Sequence, residues 1–136
     1  MSARPETLSI WIGGYFGPSY EIKTSGDHLC YSVSGGEYSP PEQETIIPTD
    51  KQWRSFARTL DDLGVWAWAA VCENPGICDG TQWHIRIDWG SRSVNCRGDN
   101  NYPGAKGRPS GEPGETREFR RLLRAVQRLI GGRPFQ

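Results

Sequence analysis

Between Thr81 and Arg97 the chain reads TQWHIRIDWGSRSVNCR, and its alternation admits one good register as a β-hairpin. Trp83, Ile85 and Ile87 alternate with His84, Arg86 and Asp88; beyond Gly90-Ser91, Val94 and Cys96 alternate with Asn95 and Arg97. A period of two is that of a strand with one buried face. Glycine at the first of two loop positions suits a type II′ turn, whose twist matches that of the strands it joins. Folding at Gly90-Ser91 sets Trp89 opposite Arg92, Ile87 opposite Val94, Ile85 opposite Cys96 and His84 opposite Arg97. A slip of one residue would drive Arg86 and Asp88 into the core, so the register is strongly specified. The hairpin then has an apolar face of Trp83, Ile85, Ile87, Val94 and Cys96 and a polar face of His84, Arg86, Asp88, Asn95 and Arg97.

The remaining pattern supplies partners for the apolar face. Thr7 to Ile12, Tyr20 to Thr24 and His28 to Ser34 alternate as three strands of an antiparallel meander, and Thr45 to Ile47 reads as a short fourth strand. In PTDKQWRSFARTLDDLG, Thr49 and Gln52 form a capping box, Trp53, Phe56, Leu60 and Leu63 recur at helical spacing, and Gly64 suits the C-terminal cap. The following VWAWAAV sets Trp66 and Trp68 against Val65, Ala67, Ala69 and Val71, which predicts a strand, with a continued helix as its competitor. Near the end, ETREFRRLLRAVQRLI carries Phe119, Leu122, Leu123, Val126, Leu129 and Ile130 on one stripe, with Arg117, Arg120, Arg121, Arg124 and Arg128 opposite and Gly131-Gly132 closing the helix. The sequence therefore predicts an α+β fold: an antiparallel sheet with two amphipathic helices packed on one face, a two-layer sandwich. At 136 residues, the expectation is a single domain over 1–136.

Sixteen basic and sixteen acidic residues balance overall, but not along the chain. Residues 1–85 hold eleven acids and five bases; residues 86–136 hold eleven bases and five acids. The simplest expectation is that the two parts neutralise each other within the fold. The alternative is a basic surface left over for an acidic partner or nucleic acid. The positions of Asp61 and Asp62 discriminate: beside the arginine stripe they would cancel it. No segment has the roughly 20 apolar residues of a membrane span, and MSARPETLSIW lacks the apolar core of a signal peptide. A cytoplasmic protein without a membrane partner is thus expected. Its cysteines, Cys30, Cys72, Cys78 and Cys96, should be reduced there, with a Cys72–Cys78 disulfide as the competing reading.

Catalytic chemistry finds little support in these residues. His84 and Asp88 share a hairpin face but stand four residues apart, on the order of 13 Å along a strand, too far to hydrogen-bond. Arg86 and Arg97 beside His84 make it a poor general base. The cysteines lack the paired two-to-four-residue spacing of a zinc site, and Cys96 falls on the core side of its strand. Gly13-Gly14-Tyr15-Phe16-Gly17 leads into a strand rather than a helix, so it reads as a wide turn and not a phosphate loop. No catalytic residue, metal or cofactor is expected. A hydrolase or metal-dependent enzyme built on His84, Cys72, Cys78 and Asp79 stands as the least favoured reading.

An amphipathic helix, then Asp79-Gly80-Thr81-Gln82-Trp83 opening a strand, then Gly98-Asp99-Asn100-Asn101-Tyr102-Pro103 before a final helix, resembles small bacterial domains of unknown function carrying D-G-x-x-W and G-x-N-x-Y-P. The likeness covers residues 50 to 130 or so and implies the order of elements, with no activity to carry over. Lys106 to Gly114 and the arginine stripe lie outside it.

The function expected from these features is a non-enzymatic macromolecular interaction domain, an accessory subunit or an inhibitor of another protein. Trp11, Tyr15, Phe16 and Tyr38 are candidate exposed anchors, since aromatic and arginine side chains dominate interface energetics. Another protein is the partner favoured by this reading. The alternative is nucleic acid, bound through Arg117, Arg121, Arg124 and Arg128 with Lys106 and Arg108 of the preceding loop; His84, Arg86 and Arg97 complete the candidate partner-binding set.

Overall fold

The structure, a computed structural model of the chain, describes residues 3–14, 17–35, 42–74, 80–112 and 114–136. Strands run over Thr7–Gly14 (β1), Ser19–Ser25 (β2), His28–Ser34 (β3), Glu42–Ile46 (β4), Val71–Glu73 (β5), Thr81–Trp89 (β6) and Arg92–Asp99 (β7). Helices cover Asp50–Leu63 (α1) and Arg117–Leu129 (α2). The seven strands form one sheet in the order β4-β3-β2-β1-β6-β7-β5. Every pairing is antiparallel except the last, where β5 runs parallel to β7, so the fold is α+β with a mixed sheet.

The hairpin adopts the register its alternation dictates, from Gln82↔Asp99 through His84↔Arg97 to Trp89↔Arg92. Gly90 takes φ 63° at the turn, a value glycine reaches without steric cost. β1 then pairs with β6 along its whole length, Thr7↔Asp88 to Gly14↔Thr81, which sets the hairpin beside the central strand of the sheet. Ile85, Ile10, Ile22 and Tyr31 make one buried row across β6, β1, β2 and β3. Burying a side chain of this size stabilises the fold by about 1.5–3 kcal/mol, so this row gives the sheet one apolar face and fixes where the helices go.

Both helices cover that face. α1 begins at the expected capping box, in which Thr49 Oγ1 accepts from Gln52 N at 3.1 Å and Gln52 Oε1 accepts from Thr49 N at 2.8 Å. It ends at Gly64 in the left-handed conformation, φ 64°. Trp53 and Phe56 seat it against Trp89 of β6, at centroid distances of 5.9 and 6.5 Å. α2 is capped by Thr116, whose hydroxyl accepts from Phe119 N and donates to Pro103 O at 2.6 Å. Its predicted stripe, Phe119 to Ile130, is buried throughout. After α2 the chain returns to the sheet: Tyr31 donates its hydroxyl hydrogen to Pro134 O at 2.5 Å and Phe135 is buried beside Tyr20.

Two local expectations need correction. The run from Val65 to Val71 does not form one strand: Val65–Ala67 is a 3-10 turn, and strand pairing begins only with Val71–Glu73. The Trp66 indole reaches back to Asp61 Oδ1 at 2.9 Å, which tightens the chain directly after the αL cap and overrides the alternation of bulk. β4 starts at Glu42 and stops before Ile47, which is 67% exposed, so the predicted Thr45–Ile47 strand lies too far toward the C-terminus. Among the described residues, no helix is long and apolar enough to cross a membrane.

Cysteine placement follows from the same alternation. Cys72 and Cys96 are buried, Cys30 is exposed, and Cys78 lies outside the described residues. Burial pushes both buried thiols up, and that of Cys96, with Cys72 nearby, to about 12. Since the thiolate is the reacting species, iodoacetamide at neutral pH will modify Cys30 in the folded protein. Cys72 and Cys96 will react only once denaturant is added, as read by mass mapping of the labelled peptides. Labelling of Cys96 at the rate of Cys30 would contradict the packing described.

Two candidate interaction surfaces

The residues of the D-G-x-x-W and G-x-N-x-Y-P pattern serve the architecture; Asp79 lies outside the described residues. Trp83 is 2% exposed and lies against Gly98, where a Cβ would come under 3.0 Å from three indole atoms. Its Nε1 donates to Asn101 O at 2.9 Å, and its ring packs on Tyr102 and Phe119. Asn101 is buried but fully engaged: Oδ1 accepts from Tyr102 N and Gly111 N at 2.9 Å, and Nδ2 donates to Glu73 O at 3.1 Å. Asn100 takes φ 53°, which asparagine tolerates better than most residues, and its Oδ1 accepts from Thr81 N at 3.0 Å. These side chains staple the loop over residues 103–111 and the start of α2 to the end of the hairpin. Satisfied buried amides of this kind hold structure and leave no free valence for a ligand.

His84, Arg86 and Arg97 stand on the face of the sheet that neither helix covers. His84 aligns with Trp11 of β1 on one side and Arg97 of β7 on the other. Around them Trp11, Glu73, Gln82, His84, Arg97 and Asp99 line a shallow depression of about 350 Å³. Each predicted residue here already has a partner. His84 Nε2 donates to Asn95 Oδ1 at 3.0 Å, Arg86 Nε lies 3.4 Å from Asp88 Oδ2, and Arg97 Nη2 lies 3.5 Å from Glu73 Oε1. Cys72 pairs in register with Gly98 and is buried on the opposite, apolar side. The structure therefore does not bring His84 and Cys72 together, and Cys78 and Asp79 lie outside the described residues, as do Tyr15, Phe16 and Tyr38. Trp11 is half-buried.

The arginines of α2 lie on the opposite outer surface, over the helix layer. Arg117, Arg121, Arg124 and Arg128 are all exposed and follow i, i+4, i+7 and i+11 spacing, one line along the helix directly away from Phe119, Leu122 and Val126. Lys106 and Arg108 are exposed in the loop tied to the helix start through Thr116 and Pro103. Among the described residues none of these six cations makes an ion pair. Internal neutralisation therefore holds only in part. Arg92–Asp61, Arg97–Glu73 and Arg133–Glu44 do join the basic part of the chain to the acidic part. The Arg133 fork, donating to both Glu44 oxygens, also holds that carboxyl below its usual range. Asp61 is thereby engaged with Arg92 and Trp66, and Asp62, exposed at the end of α1, makes no ion pair with the α2 line among the described residues.

One set of residues escapes a reading of the chain by halves. Lys51, Arg54 and Arg58 are exposed on α1 and also form no ion pair among the described residues. Gln52 Nε2 donates to Arg128 O at 3.4 Å, so the start of α1 meets the end of α2 and the helices run antiparallel, side by side. The α1 cations, with Asp50, Asp61 and Asp62 on the same helix, thus flank those of α2. Their i, i+3, i+7 spacing was available in the sequence, but counting them with the acidic N-terminal part concealed them. The fold and these surfaces define a class, a two-layer α+β domain with a polar sheet face and a cationic helix face. No known protein family matches the chain, and no curated protein matches it.

Proposed function

We propose that this protein is a non-enzymatic macromolecular interaction domain whose working surface is the outer face of its two helices. The observation that carries this reading is the contrast between the two faces. On the sheet face every predicted cation is matched by a neighbouring amide or carboxylate; on the two helices Lys51, Arg54, Arg58, Arg117, Arg120, Arg121, Arg124 and Arg128 are exposed and make no ion pair among the described residues, although Asp62 and Glu118 lie on the same helices. The α2 row gathers like charge, which opposes folding through self-repulsion, a cost that an anionic partner removes; on α1 the exposed Asp50, Asp61 and Asp62 balance its three cations.

Affinity capture from the source cells, with and without nuclease, tests the assignment. Substituting Arg121, Arg124 and Arg128 by glutamine will abolish retention of the partner, whereas Trp11→Ala with Arg97→Gln will leave it intact. The reverse pattern would place the working surface on the sheet and overturn the proposal.

A further inference from the structure

We infer that the helix face binds the phosphate backbone of double-stranded nucleic acid without reading its sequence, a step that rests on the assignment of the working surface above. The geometry is that of two parallel rows. The α2 row spans eleven residues, about 16 Å at the helical rise, and the α1 row spans seven, about 10 Å. Helices in contact lie about 8–10 Å apart, so the rows form one compact field. Six of its seven cations are arginine, whose guanidinium fork pairs with phosphate oxygens through two hydrogen bonds.

What lies between the rows separates the anionic partners. Gln52, Ser55 and Thr59 of α1 face Ala125 and Arg128 of α2 across a cleft of only about 50 Å³. Gln52 Nε2 donates to Arg128 O and Thr59 Oγ1 to Ser55 O within the fold; a hydroxyl such as that of Ser55 hydrogen-bonds to phosphate and sugar oxygens. The cleft is too small to seat an aromatic anchor. Among the described residues the exposed large hydrophobic side chains are Ile47 and Val71, and neither is on α1 or α2. A protein interface is depleted of charge at its core and built around buried aromatic or aliphatic anchors; among the described residues no such side chain is exposed on α1 or α2, and the larger depression beside α1, about 510 Å³, is rimmed by the charged Asp50, Arg54, Arg58 and Asp61. A single strand needs aromatic platforms for its unstacked bases, also missing here. An anionic membrane would be held through apolar side chains inserted below its headgroups. A stacked duplex asks for none of these, only cations and hydrogen-bond donors at its backbone.

Fluorescence anisotropy with the full chain tests the inference, using duplex DNA and duplex RNA of about 20 base pairs in two unrelated sequences, the matching single strands, and phosphatidylserine vesicles. Duplexes of either sequence will bind alike, and the ratio of DNA to RNA affinity will name the source. Between about 50 and 200 mM salt the affinity will fall on the order of a thousandfold, corresponding to about five to six phosphates contacted. Substituting Arg121, Arg124 and Arg128 by glutamine will lower the salt slope by about three, and so will Lys51→Gln, Arg54→Gln and Arg58→Gln together. Arg86→Gln with Arg97→Gln will leave it unchanged. Preference for single strands or vesicles, or no duplex binding at the lowest salt, would overturn the inference. If duplexes fail to bind while nuclease-resistant capture still depends on the α2 arginines, the partner is an acidic protein and the working surface stands; loss of both dependences removes both conclusions.

Discussion

Replacing Gly98 by valine will lower the melting temperature by more than about 10 °C, or prevent folding. Overpacking a rigid core costs about 1–3 kcal/mol and sometimes more, and each kilocalorie is worth about 3–4 °C in a domain of this size. The upper end applies because nothing around Gly98 can give way. The colliding atoms belong to the Trp83 indole, which is held by its bond to Asn101 O and enclosed by Tyr102 and Phe119. Gly98 itself is fixed in β7 between Trp83 of β6 and Cys72 of β5. Circular dichroism on heating checks this, and Gly98→Ala is the milder version. If Gly98→Ala melts within about 2 °C of the parent, less than one kilocalorie's worth, the indole is not held as described. Adding Trp83→Leu to Gly98→Ala will recover part of the loss, because the two changes share one contact and are not additive.

The second large effect belongs to Phe119. Its ring is 1% exposed, with centroids 5.0 Å from Trp83 and 4.9 Å from Tyr102, so it is the bolt between α2 and the hairpin. Phe119→Ala removes its transfer free energy and leaves a cavity that neighbouring rings cannot fill, a loss of about 3–5 kcal/mol. Urea unfolding followed by tryptophan fluorescence will read that difference. A loss below about 1 kcal/mol would mean that α2 is not anchored through this residue. Because Arg117 and Arg121 flank Phe119 on the same helix, the variant will also weaken whatever the arginine row holds, whereas truncating Val94 at the other end of β7 will not.

These residues also show why some of the fold is legible in the sequence and some is not. The hairpin register, the capping box at Thr49 and Gln52 and the buried stripe of α2 follow from periods of two and 3.6, which are written locally. The segment after Gly64 misleads for an equally local reason. An alternation of tryptophan with small residues matches a strand, while the contact that decides the outcome, Trp66 to Asp61, reaches backward across a helix cap. The parallel addition of β5 to β7 depends on the chain passing over the sheet, and no spacing within Val71–Glu73 announces it.

The candidate site divides in the same way. The polar face of His84, Arg86 and Arg97 could be drawn from the strand pattern, but their pairing with Asn95, Asp88 and Glu73 required the fold. The α2 arginine line could likewise be read from the sequence. That α1 supplies a second row could not be weighed until the helices were set side by side, since charge belongs to surfaces and the sequence orders it by chain.

The central claim is that the helix face is the working surface. Amide hydrogen exchange, compared between the protein alone and the protein with its captured partner, tests it most directly. Protection gained over Asp50–Leu63 and Arg117–Leu129, with the sheet unchanged, is the predicted result. Protection centred on Trp11, His84 and Arg97, with both helices unaffected, would contradict it.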